Sequence, residues 1–122
     1  MFRPTTNAVP LVKSGRLRAL AVTSRSRVPA MPELPTVSES GLKGYESSQW
    51  YGMLAPAGTP PDVLNLLNAQ IAKIMHAPDM KGRMTAEGLV AVGSTREQFA
   101  THIQTELTKW AKVIKDSGAK VD

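Results

Sequence analysis

The sequence has no cysteine, few aromatic residues and no long apolar run, and each shortage closes off a class of protein. Without cysteine among its 122 residues, disulfide frameworks, thiolate zinc sites and cysteine nucleophiles are excluded. The longest apolar stretches fall far short of the roughly 20 residues a membrane helix needs. The opening "MFRPTTNAVPLVKSG" has no basic segment followed by an apolar one, so no signal peptide is expected within it. No run of five like charges occurs, and no aromatic residues interleave the basic ones. The excess of base over acid, a formal charge of +5, is therefore read as solvated surface open to small anions, and nucleic acid is not expected as a partner.

Motifs of catalysis are also missing. There is no G-x-x-x-x-G-K-[ST], no G-x-G-x-x-G and no G-x-S-x-G. His76 and His102 stand on different helical segments with no second histidine at i+3 or i+4, and the ten acidic residues form no pair of the kind that shares a proton. No enzyme chemistry, metal or cofactor is expected.

What remains is 42 % hydrophobic residues, enough for one domain core, arranged in legible elements. Residues 6–13 read as a short helix, with Pro10 placed in its first turn and Gly15 as its stop. "LRALAVTS", residues 17–24, reads as a buried strand. Residues 25–48 hold Pro29, Pro32 and Pro35 at spacing three. They read as an extended connection with one helical turn, where Thr36 and Glu39 stand at capping-box spacing. "QWYGMLA", residues 49–55, reads as a strand apolar on both faces, the kind that lies between helices in an α/β sheet.

The next helix is the clearest. Thr59 is positioned to cap it, Pro60 and Pro61 suit its first turn, and Val63, Leu67, Ile71 and Ile74 draw one apolar stripe before Pro78. A second short helix, 79–87, carries Met80 and Met84 on one face. "LVAVG", 89–93, is a strand candidate. Ser94 and Glu97 then open a last helix whose stripe is Phe99, Ile103, Leu107, Trp110 and Ile114, read as packed on the chain's own core. The helix starts at Thr59-Pro60-Pro61 and Ser94-Thr95-Arg96 present backbone N–H groups that suit carboxylate or phosphate.

Four phrases in order, "LRALAVTS", "PELPTVSESGLKGYE", "WYGMLAPAGTP" and "STREQFATHIQTELTKWAKVIKDSG", strongly resemble the tripartite tricarboxylate transporter solute-binding proteins, the Bug family. The resemblance spans essentially the whole chain but matches only the C-terminal segment of such proteins. It implies a periplasmic location and an α/β fold of the type II periplasmic binding-protein class, helix-rich with few strands in this part, completed by oligomerisation or rearrangement. It implies that residues 1–48 form the tail of lobe two and its connection. Residues 49–122 would then form the crossover strand and the C-terminal part of lobe one.

The function implied is non-covalent capture of a small carboxylate for delivery to membrane permease subunits. The alternative is a truncated self-associating module, a homo-oligomer that binds no solute. In the family a loop beginning Met-Phe lies at the ligand cleft and commonly continues with acidic and amide residues. Here it reads "MFRPTT", which nominates Arg3, Thr5 and Thr6 as carboxylate-binding residues, with arginine in the acidic position.

Overall fold

The computed structural model describes residues 2–120, and the Met1 that opens the candidate binding loop lies outside them. The described residues form four helices: α1 Thr5–Lys13, α2 Pro61–His76, α3 Pro78–Ala86 and α4 Arg96–Ser117. The chain is helix-rich, and among the described residues there is no strand, only one parallel bridge between Val22 and Thr36.

Helix α1 starts one residue earlier than its sequence pattern suggested. Pro10 is its sixth residue, not part of its first turn. Proline has no N–H to offer the carbonyl four residues back, so α1 depends on packing to persist. That packing comes from the segment read as a mere connection. Within 25–48, the N–H of Met31 donates to the Val28 carbonyl and that of Leu34 to the Met31 carbonyl. These two turns fold Val28 and Met31 inward onto Val9, and the three are the buried apolar residues among those described, with Val12, Val22, Ala30 and Leu34 around them.

A polar clasp fixes the segment. Thr36 N–H donates to Glu39 Oε2 at 2.7 Å, and Glu39 N–H donates to Thr36 Oγ1 at 3.0 Å. The capping box anticipated there is made, although only turns follow it. Arg27 Nε donates to the same Glu39 carboxylate at 3.1 Å and its Nη1 donates to the Pro32 carbonyl at 3.3 Å. Thr36 is 2 % exposed, so its hydroxyl bond is sheltered from competing water.

Helices α2 and α3 pack on each other, and Ala77 serves as C-cap of one and N-cap of the other. Its extended backbone follows from Pro78, because the residue before a proline is pushed out of the helical region. Helix α4 opens on Thr95, not Ser94, and its capping box closes with Gln98, not Glu97. It ends at Gly118 with φ 67°, a left-handed cap that glycine adopts without strain.

The three strand expectations fail together. Residues 17–24 make only the bridge at Val22, while 49–55 and 89–93 make no ladder. Several of their apolar side chains face water: Leu20 is 75 % exposed, Tyr51 78 % and Leu54 82 %. A strand needs partners, and none of these segments has an adjacent partner strand among the described residues. The chain exposes 9661 Å². A compact monomer of 13.1 kDa exposes about 6,400 Å².

Replacing Thr36 with alanine removes the sheltered hydroxyl of the clasp and should lower stability by about 1 kcal/mol in urea unfolding. Glu39 is held below the usual glutamate range, first by the Thr36 N–H and then by Arg27. A depressed carboxylate contributes stability above its unfolded pKa and loses it as pH falls through the folded one. Stability should therefore decline below about pH 4.3, and Glu39→Gln should flatten that acid limb. An unchanged limb in the variant would refute the assignment.

Candidate functional site

Arg3 is exposed on the segment leading into α1, and Thr5 and Thr6 are the first two residues of that helix, both half-buried. Pro4 occupies the N-cap position and supplies no side-chain bond. Its carbonyl accepts from Asn7 and Ala8. The N–H groups of Thr5 and Thr6 make no backbone bond among the described residues. A guanidinium, two backbone N–H groups and two hydroxyls thus lie within four residues at the positive end of a helix, a combination that suits an anion. One wall is present: a Cβ on Gly88, whose φ is 75°, would meet Thr5 Cγ2 at 2.7 Å. The turn after α3 therefore lies directly against the start of α1.

The other two helix starts singled out by sequence differ from expectation. Thr59 does not cap α2. Its hydroxyl donates to the Pro56 carbonyl at 2.8 Å, and Pro60 takes the cap position without a side-chain bond. At α4 the first-turn groups are already engaged by the chain itself. Gln98 N–H donates to Thr95 Oγ1 and Thr95 N–H to Gln98 Oε1, at 3.2 and 2.9 Å. Arg96 Nη1 donates to Asn65 Oδ1 at 2.8 Å. The Arg96–Asn65 bond joins α4 to α2, along with Asn68 Nδ2 donating to the Ser94 carbonyl just before α4.

A second constellation was not anticipated. Trp50 stands edge-on to Phe99 (5.7 Å, 81°) and to His102 (4.9 Å, 78°), pinning residues 49–55 to the first turns of α4. The stripe of α4 continues past this contact with no core of its own. Leu107, Trp110 and Ile114 are 59, 40 and 52 % exposed and, with Trp50, line an open groove of about 480 Å³. The expectation that this stripe packs on the chain's own core is thereby corrected. Glu106 in the groove wall accepts from Lys109 Nζ at 2.6 Å and Trp110 Nε1 at 2.9 Å. Those two bonds, Lys109 first, hold its carboxyl below the usual range. The stripe spacing was visible in the sequence; its pairing with Trp50, half the chain away, was not.

No cluster of three or more metal-ligating side chains stands together among the described residues, and no described helix is long and apolar enough to cross a membrane.

Residues 1–119 match the family described as tripartite tricarboxylate transporter family receptor. A UPF0065 protein in the tcbD-tcbE intergenic region of Pseudomonas sp. (strain P51) is 42 % identical over 81 % of this chain and 30 % of its own length. Protein BugT of Bordetella pertussis is 34 % identical over 90 % of this chain and 34 % of its own. The chain thus spans about a third of the curated relatives it matches. Among solved structures, the periplasmic binding protein BugD superposes with TM-score 0.82 at 36 % identity, over 95 % of this chain and 40 % of that one. An R. palustris protein with adipate gives 0.82 at 32 %, over 93 % and 38 %. MatC from Rhodopseudomonas palustris with bound malate gives 0.73 at 31 %, over 90 % and 38 %.

The contact between Gly52 and Phe99 gives a test of the Trp50 anchor. A Cβ at residue 52 would lie 2.0 Å from Phe99 Cζ. Gly52→Ala should swing that ring off Trp50, alter the near-ultraviolet circular dichroism, and cost about 1 kcal/mol. An unaltered aromatic spectrum would show that the stack is not formed.

Proposed function

We propose, since the chain belongs to the tripartite tricarboxylate transporter family of receptors, that it is part of a solute-binding protein that captures a small carboxylate without covalent chemistry. The observation that carries this reading is the likeness, over nine-tenths of the chain, to a protein solved with adipate. The malate-bound relative supports the same ligand class. Both named ligands are dicarboxylates, and the charge of this chain is arranged to attract such anions. Residues 1–45 hold seven basic and two acidic residues, whereas the remainder holds eight of each. The whole excess of +5 lies on the part that carries Arg3 and α1, where it raises the local concentration of an anion.

In this reading Arg3 clasps one carboxylate and the N–H and hydroxyl groups of Thr5 and Thr6 orient it. Residues 1–48 belong to the tail of the second lobe and its connection, and residues 49–122 to the crossover and the C-terminal part of the first. Ligand release to permease subunits in the membrane completes the cycle, in the periplasm. No bond in the ligand is made or broken, so the protein is not an enzyme. A second reading, a self-associating homo-oligomeric module that binds no solute, is favoured by the exposed apolar segments alone.

Isothermal calorimetry with adipate and malate separates the two. Saturable heat is expected, weakened about tenfold or more by Arg3→Ala, since a charge-assisted bond contributes roughly 1.5–3 kcal/mol. An intact fold with no heat for either ligand would favour the module. On the second reading, light scattering after size exclusion shows mass rising with concentration; a constant monomer mass would remove that reading.

A further inference from the structure

We propose that Gly88 is a positioning residue for the start of α1. Because it carries no side chain, the turn after α3 seats directly on Thr5 and fixes the first turn that presents Arg3, Thr5 and Thr6. The inference rests on the carboxylate reading for its ligand, and on packing alone for the seat itself.

The seat begins in the local structure of α3. Gly88 N–H donates to the Thr85 carbonyl at 3.0 Å and Leu89 N–H donates to the Met84 carbonyl at 2.8 Å, while Gly88 takes φ 75°. Two such bonds around a left-handed residue are the turn by which a helix closes on glycine. They tie residue 88 to α3, so that helix sets its place.

What this turn meets lies at the other end of the chain. Gly88 is buried, although Glu87 before it and Val90 just beyond are exposed. A Cβ at residue 88 would meet three atoms of Thr5: Cγ2 at 2.7 Å, Cβ at 3.2 Å and the backbone carbonyl carbon at 3.3 Å. Neither Cβ nor the carbonyl carbon moves when Thr5 changes rotamer, so rotation of its side chain does not clear the contact. A side chain at residue 88 must push the turn and α1 apart. The left-handed backbone is not the whole reason for glycine here. Gly15 has φ 72° and nothing within 4 Å of its Cβ position, so it answers to conformation only. Gly88 answers to conformation and to contact.

The contact matters because of the residue it holds. Thr5 is the first residue of α1, and Pro4 before it supplies no side-chain cap. With Pro10 inside the helix, α1 has a weak hold on its own first turn. Threonine is stiff at χ1. With its methyl against the turn, Thr5 keeps one rotamer, and its hydroxyl and N–H keep one direction. Donors held in place before the ligand arrives lose less freedom on binding it.

The test compares Gly88→Ala, Gly88→Asn and Gly15→Ala in the full chain. It reads calorimetry with adipate and the NMR shifts of the Asn7 and Ala8 amides, which donate to the Pro4 carbonyl in the first turn of α1. Asparagine tolerates the left-handed backbone yet brings the same Cβ, so it separates contact from strain and carries the comparison where the alanine variant does not fold. Both Gly88 variants should weaken adipate binding by about tenfold or more, the change that 1.4 kcal/mol gives, and should shift both amides. Gly15→Ala should bind as the parent does and leave the amides in place. Thr5→Ser deletes the methyl of the shortest contact. In the Gly88→Ala background it should restore binding by about fivefold or more, the coupling of touching residues. A Gly88→Asn variant that binds like the parent or leaves both amides unshifted overturns the proposal, and so does a loss that Thr5→Ser leaves unrelieved. A parent that gives no heat, with amides that still move in the Gly88 variants and return on Thr5→Ser, refutes the carboxylate reading and leaves the seat standing.

Discussion

The burial of Val28 and Met31 on Val9 is the contact on which this chain's order rests. Val9 and Met31 are 3 and 5 % exposed, in a molecule where most large apolar side chains remain wet. Helix α1, interrupted by Pro10, has little intrinsic reason to form, and the proline-rich segment has no ladder of its own. Each gives the other the apolar cover it lacks. The three prolines help by restricting the unfolded chain, so fewer conformations are lost when the turns close. The Arg27–Glu39–Thr36 clasp then holds those turns in register.

The remainder is held by fewer and more local contacts. Helices α2 and α3 share a joint at Ala77 and Pro78, and α4 is tied to α2 by Arg96 donating to Asn65 and Asn68 donating to the Ser94 carbonyl. Trp50 joins residues 49–55 to α4 through ring edges. None of these contacts encloses a dry core, which is why the apolar stripes of α2 and α4 stay open. The chain adopts the backbone arrangement of its relatives over about a third of their length, with its hydrogen bonds concentrated in helices and turns.

Much of the candidate site was legible because it is local. Arg3, Thr5 and Thr6 lie within four residues, and the start of a helix places their groups together whatever the rest of the chain does. The approach of Gly88 to Thr5 was not legible, because it joins positions more than 80 residues apart and no periodicity records it. The same holds for Trp50 on Phe99 and His102. Thr59 and Ser94 misled in a smaller way: both are good capping residues, but the neighbouring Pro60 and Thr95 took the cap positions, one because Pro61 fits the first helical position and one because Gln98 completes a reciprocal pair.

By itself the sequence determined the helices, their stops and the family. A helix bonds its N–H groups to carbonyls four residues away, so 61–76 and 96–117 carry in their own residues nearly everything needed to form them. The strands were another matter. Residues 17–24, 49–55 and 89–93 have strand-like composition, yet a strand exists only when a second segment accepts its hydrogen bonds. Only the tertiary structure could decide that these stretches form no ladder, with 17–24 paired at Val22 alone, because pairing belongs to two segments and the sequence of one member does not contain it.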